Sequence, residues 1–91
     1  MSLYVAAYDV ANDRRRERLA RTLNRYGERV QYSVFLIWAD AEELPDLRRE
    51  VGVDLGRDDR FDLIPVDVRG TRSRWSWQRP PHEFEPVIFG D

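Results

Sequence analysis

Changes of hydrophobic period along this chain predict an α+β domain. Apolar run 3–8 and the alternating run that starts at Arg29 carry strand periodicity. Between them lies a stretch with the 3.6-residue period of a helix, and a second helical stretch follows at 40–51. Turn formers separate these pieces, and no repeat, low-complexity tract or linker interrupts them.

Each element has its own signal. Residues 3–8 (Leu3 to Tyr8) are apolar on both faces of a strand. Asn12 or Asp13 offers an N-cap to the first helix, where Arg16, Leu19, Ala20, Leu23 and Tyr26 fall on one face. Gly27 is expected as the C-terminal stop. Residues 29–39 read as one long strand, with Val30, Tyr32, Val34, Leu36 and Trp38 on one side. In 40–51, Leu44, Leu47 and Val51 share a helical face; Pro45 is welcome only in a first turn, so the regular helix is expected to begin around Leu44 and to end at Gly52 and Gly56. Further strands are expected at 60–68, at 72–78 with Trp75 and Trp77 on one side, and at 87–89. The order matches a split β-α-β, ferredoxin-like βαββαβ sandwich with an additional C-terminal strand.

Two helices can cover only one face of such a sheet, yet the first two strands are apolar on both. The uncovered face is therefore expected to meet a second copy in a two-fold homodimer, or the tail at 70–91 folds back over it. At 91 residues the chain is read as a single domain with a small core, for which oligomerisation is a common remedy.

Composition narrows the function. There is no cysteine, which excludes disulfides, thiolate catalysis and cysteine zinc sites, and His82 is the single histidine. No apolar stretch approaches the roughly 20 residues that span a bilayer, and Arg14 to Arg16 follow the apolar run rather than precede it. A soluble, cytoplasmic protein without a membrane partner is the expectation. Net charge is −2, which argues against a uniformly basic binder. Charge is nevertheless uneven: between Arg14 and Arg29 seven arginines stand against Glu17 and Glu28, a local excess of five. That is the footprint of a basic patch on a near-neutral protein. All 15 basic residues are arginine, whose fork suits phosphate oxygens. Asp9, at the end of the first strand and just before this arginine-rich helix, is placed to hold a metal ion.

Three stretches coincide in a wider pattern: Tyr8-Asp9-Val10, the helix from Asp13 with Arg14, Arg15, Leu19, Leu23 and Tyr26-Gly27, and Arg29-Val30-Gln31-Tyr32-Ser33-Val34-Phe35. Together they resemble the small CRISPR-associated endonuclease of the adaptation module, the Cas-two family. The resemblance is strong over residues 3–39, extends through Asp59 to Val66 and is weak beyond Arg69. It implies a ferredoxin-like protomer, a two-fold dimer and a divalent-metal (Mg²⁺) phosphodiesterase, with Asp9 of each chain as metal ligand and catalytic carboxylate at the interface. It implies nucleic acid, RNA or double-stranded DNA, as substrate, and the CRISPR integrase, Cas-one, as partner in spacer acquisition. The aromatic tail from Trp75 to Pro81 departs from the pattern and leaves the docking mode open.

Each residue also has a plainer reading. Asp9 can cap the turn or pair with an arginine. Arg16 faces the sheet and needs a partner, which Asp9 or a phosphate can supply. Arg14, Arg15, Arg18 and Arg29 are candidate phosphate contacts or a solvated charged face. Ser33 can donate to phosphate. Tyr8 and Phe35 flank the expected cleft by resemblance, and packing is the stronger reading for both. Trp75 and Trp77 can stack on bases or bury against a partner. Three functions follow: a metal-dependent endonuclease, a non-catalytic dimeric scaffold for the integrase, or a toxin-like ribonuclease of the same fold.

Overall fold

In the computed structural model, residues 1–77 form a four-stranded antiparallel sheet with two helices packed on one face. The elements run β1 (Ser2–Asp9), α1 (Asp13–Asn24), β2 (Gly27–Gln31), β3 (Val34–Ala39), α2 (Leu44–Asp54), β4 (Arg60–Val66) and a 3₁₀ helix (Val68–Ser73). The sheet order is β2-β3-β1-β4, which is the ferredoxin-like arrangement. Among the described residues no helix is long and apolar enough to cross a membrane.

Alternation along β1 sorts the sheet into two faces. Tyr4, Ala6 and Tyr8 lie opposite Ile37, Phe35 and Phe61 in register and turn toward the helices. There they join Leu19 and Leu23 of α1 and Leu47 and Val51 of α2 in the core. Leu3, Val5, Ala7 and Asp9 take the other face, with Val34, Leu36 and Trp38 of β3 and Arg60, Asp62, Ile64 and Val66 of β4. Neither α-helix covers this second face: Leu3 is buried on it, but Ile64 stands 49% exposed. The 3₁₀ helix reaches over one margin: Gly70 and Thr71, with Arg74, bound an open apolar concavity of about 480 Å³ whose floor is Val5, Val34 and Leu36.

α1 begins as its cap predicts. Asn12 is extended, and its side-chain oxygen accepts the Arg15 backbone N–H at 3.0 Å. α2 starts at Leu44 with Pro45 in the first turn. The two helices are locked by a buried carboxylate: Thr22 Oγ1 donates to Asp54 Oδ2 at 2.8 Å, and Arg18 Nε lies 3.5 Å from Asp54 Oδ1.

Several expectations are corrected. Residues 29–39 are not one strand but the hairpin β2–β3, turned at Tyr32-Ser33. A two-residue turn pairs Gln31 with Val34 and by itself reverses the side-chain parity, but a bulge between Arg29 and Gln31 restores it, so Arg29 lies opposite Phe35 and Glu28 opposite Leu36 and the alternation reads on; no Asn-Gly or Asp-Gly marks the turn. Gly27 does not stop α1, which ends at Asn24 with Arg25 as C-cap. It opens β2 instead, where an added Cβ would collide with the carbonyl oxygen of Leu36. Gly52 does not end α2; it is exposed within the helix, which runs on to Asp54. β4 stops at Val66 because Asp67 caps a 3₁₀ turn, its side chain accepting the Arg69 N–H at 2.9 Å. The expected strand at 72–78 is replaced by the end of that turn and irregular chain to residue 77, along which Trp75 and Trp77 touch with ring centroids 5.9 Å apart. Gln78 and the expected strand at 87–89 lie outside the described residues.

Gly27→Ala is expected to cost about 2 kcal/mol or more, because the obstacle is backbone and cannot rotate away. A urea midpoint within error of the wild type would show that β2 can move off β3 without penalty.

Candidate metal and nucleic-acid site

Asp9 is the last residue of β1, exposed, and on the sheet face without helices. It lies opposite Arg60, and Ala7, two residues earlier, lies opposite Asp62. Asp9 and Asp62 are therefore diagonal neighbours on one face with Arg60 beside them. The sequence reading gave neither β4 residue a role; only the antiparallel register of β1 against β4 brings them here. The hairpin turn closes the other side. The Tyr8 N–H donates to the Ser33 carbonyl at 3.1 Å, which holds Tyr32-Ser33 beside the end of β1.

Arg16 builds the loop that leaves Asp9. Its Nη1 donates to the carbonyls of Val10 at 2.9 Å and Ala11 at 3.3 Å, and its Nη2 pairs with Asp13. The Asp13 hydrogen bond raises the Arg16 pKa. Its partners are thus loop carbonyls and Asp13 rather than Asp9. The same guanidinium lies over the ring of Tyr32, 5.3 Å from its centroid. Arg29, on β2, lies over Tyr32 at 6.0 Å and over Phe35 at 5.3 Å. Tyr32 is 66% exposed, and sequence reading assigned it no role beyond strand alternation.

The remaining candidates divide. Arg15 is a clamp: Nε donates to Asp59 Oδ2 at 2.9 Å and Nη2 to Oδ1 at 3.4 Å, while Asp59 Oδ2 also accepts the Gly56 N–H at 2.6 Å. This ties α1 to the α2–β4 loop. Arg18 is held at Asp54. Arg14 is exposed and makes no ion pair among the described residues. Ser33 is half-buried in the turn. Tyr8 and Phe35 belong to the core, 7% and 0% exposed, with ring centroids 6.3 Å apart. Within the protomer they support the site from beneath rather than line an open cleft.

Among the described residues no group of three or more His, Asp or Glu side chains gathers into a metal cage. Mg²⁺ needs no such cage: one or two carboxylates suffice when water and substrate phosphate complete the shell. An exposed Asp9, with Asp62 diagonal to it, is a donor set of the kind such a site uses.

Asp59 gives a pH-dependent signature. The Arg15 hydrogen bond, then the Gly56 N–H, hold its pKa below the ordinary 3.8. A carboxylate lowered on folding stabilises the folded state above its unfolded pKa, and that contribution fades as pH falls toward its folded value. Asp59→Asn should therefore lower the urea midpoint at pH 7, with the gap to wild type closing below about pH 4. An equal gap at pH 7 and pH 3 would assign the effect to packing.

Comparison with known proteins agrees with this geometry. The family model described as "CRISPR associated protein Cas2" matches residues 1–74. A CRISPR-associated endonuclease Cas2 of Thermus thermophilus is 52% identical over 58 residues, 62% of this chain and 64% of that protein, so the aligned part is less than two thirds of that relative. A CRISPR-associated endoribonuclease Cas2 of Rhodospirillum rubrum is 34% identical over 88 residues, 91% of this chain and 71% of the relative. Among solved structures, Streptococcus pyogenes Cas2 shares the fold at a TM-score of 0.75 with 21% identity, covering 82% of this chain and 98% of that one. The matched chain of a partial Cas6-RT-Cas1–Cas2 complex does so at 0.66 with 24% identity, covering 84% and 90%. A family match over residues 1–74, a relative 34% identical over 91% of the chain and the shared sheet order agree: this chain belongs to the CRISPR-associated Cas2 family.

Proposed function

We propose that this protein is a two-fold homodimer that binds nucleic acid, RNA or double-stranded DNA, and hydrolyses phosphodiester bonds with Mg²⁺ at the dimer seam. One observation carries the reading: Asp9 shares its sheet face with Val5, Val34, Leu36, Ile64 and Val66. An apolar face of this kind is stabilised by burial, at about 25 cal/mol per Å² removed from water. Two copies stacked on it about a two-fold axis bring two Asp9 carboxylates toward one seam. Mg²⁺ held by that pair would supply Lewis-acid stabilisation of charge on a phosphoryl group.

The chain's own residues do the rest. Arg16 fixes the 10–12 loop and so the position of Asp9. The Ser33 hydroxyl, beside the end of β1, can donate to a phosphate oxygen, and Arg14 and Arg29 contribute positive charge along the path of the strand. Relatives named endonuclease and endoribonuclease support a nuclease.

A second reading also has an observation behind it. Arg15, Arg16 and Arg18 are held by Asp59, Asp13 and Asp54, so much of the helix charge is structural. A dimer that bridges a duplex and docks the Cas1 integrase needs no cleavage chemistry. A neighbour of this fold occurs in a Cas1–Cas2 complex, which supports Cas1 as the partner in spacer acquisition.

The purified protein should sediment as a dimer, and Leu36→Asp, which places a charge on the free face, should give a monomer. A wild-type monomer at high concentration would remove the shared site. Asp9→Asn should abolish Mg²⁺-dependent cleavage while leaving the dimer intact; unchanged cleavage ends the role of Asp9. If Asp9→Asn still supports spacer acquisition with Cas1, the scaffold reading prevails in the cell. Binding to nucleic acid should fall at least about tenfold between roughly 50 and 200 mM salt if several phosphates are contacted, and a salt-independent affinity would count against the arginine contacts.

A further inference from the structure

We infer that Tyr32 is a stacking platform for an unpaired nucleobase, with Arg16 and Arg29 flanking it. The inference rests on the nucleic-acid reading above and gives it a base-contacting residue, one suited to unpaired bases.

Tyr32 stands at the tip of the β2–β3 hairpin with two thirds of its surface in water (66% exposed). Such a ring gains little from folding where it stands. It is nevertheless held in place. The Arg16 guanidinium over it is fastened to the Val10 and Ala11 carbonyls and to Asp13. The Arg29 guanidinium bridges from Tyr32 to Phe35, whose ring is fully buried. A chain of guanidinium and ring thus anchors an exposed aromatic to the core, so little side-chain freedom remains to be lost on binding.

Its surroundings match one kind of ligand. Two arginines next to an aromatic attract a polyanion, and the aromatic takes the flat face of a base. Paired bases in a continuous duplex do not present that face; unpaired bases do. The turn holding Tyr32 is also fixed to the end of β1 by the hydrogen bond from the Tyr8 N–H to the Ser33 carbonyl. Stacking is tolerant of base identity, so the platform orders a strand without selecting a sequence.

The test uses the full-length protein, labelled single strands of RNA and of DNA, and a blunt duplex of the same sequence. Tyr32→Ala should weaken single-strand binding on the order of tenfold, within the range of one aromatic–base stack, and leave duplex binding within about twofold. Tyr32→Phe should keep wild-type affinity. A strand containing 2-aminopurine should be quenched by the wild type and Tyr32→Phe but not by Tyr32→Ala. Equal loss for single strand and duplex, or loss in Tyr32→Phe as well, would make Tyr32 a support for Arg16 and overturn the platform. Unchanged single-strand affinity in Tyr32→Ala, with a wild type that binds in a salt-dependent way, overturns it alone. A wild type that binds no nucleic acid at low salt sinks the parent reading with it. Loss of stacking with RNA but not DNA, or the reverse, would support the platform and identify which strand it serves.

Discussion

The structure depends on one geometric constraint: two helices cover one side of a four-stranded sheet and leave the other side to something else. β1 sits between β3 and β4, so its alternation decides the fate of every neighbour on each face. Even positions of β1 go under α1 and α2 and make a small, tightly filled core with Phe35 and Ile37. Odd positions make an apolar surface that ends in a carboxylate. The same strand therefore supplies both the core of the protomer and the position of Asp9. Neither half can shift without the other, since a slip of one residue would send Asp9 toward the helices and Tyr8 to the open face.

The arginines show how charge density misleads when it is read without partners. The first helix looks like a uniform phosphate-binding face, yet its guanidiniums have distinct duties. Arg15 closes the α2–β4 loop through Asp59, Arg18 reaches the buried Asp54, and Arg16 binds the carbonyls of the loop that leaves Asp9. These contacts draw together segments distant in sequence, as in the bond from Arg15 to Asp59, 44 residues away. The charge left on the exposed side of α1 is therefore smaller than the composition suggests.

Features with local causes were legible in the sequence. The Asn12 cap, the start of α2 at Pro45, the apolar helix stripes and the α+β order all arise from interactions within a few residues. Asp9 stood out for the same reason, as a carboxylate at the end of an apolar strand. Features with non-local causes were hidden. The bulge between Arg29 and Gln31 restores the side-chain parity that the Tyr32-Ser33 turn reverses, and the turn uses no characteristic turn residue, so alternation could not show it. Gly27 matters because of Leu36 across the hairpin, not because of the helix before it. Asp62 and Arg60 join Asp9 only through antiparallel register, and Tyr32 becomes notable only when Arg16 and Arg29 are seen over its ring. The 3₁₀ turn capped by Asp67 overrode the aromatic alternation around Trp75 and Trp77, which had read as a strand.

A site divided between two protomers has a consequence that a self-contained site does not. On the proposed reading, each chain brings its Asp9 carboxylate and an apolar face to the seam, and neither is useful alone. A single Asp9 meets Mg²⁺ as a weak, mostly hydrated ligand, whereas a pair across an axis doubles the negative charge at one point. Burial of Val5, Leu36 and Ile64 must offset the repulsion between those two carboxylates. Metal binding and dimer formation are then linked by mass action: whatever neutralises the pair also tightens the dimer. The apolar area nearest Asp9 does most to hold the carboxylates together. Covering that face with a third helix would have made the protomer more stable and the shared site impossible.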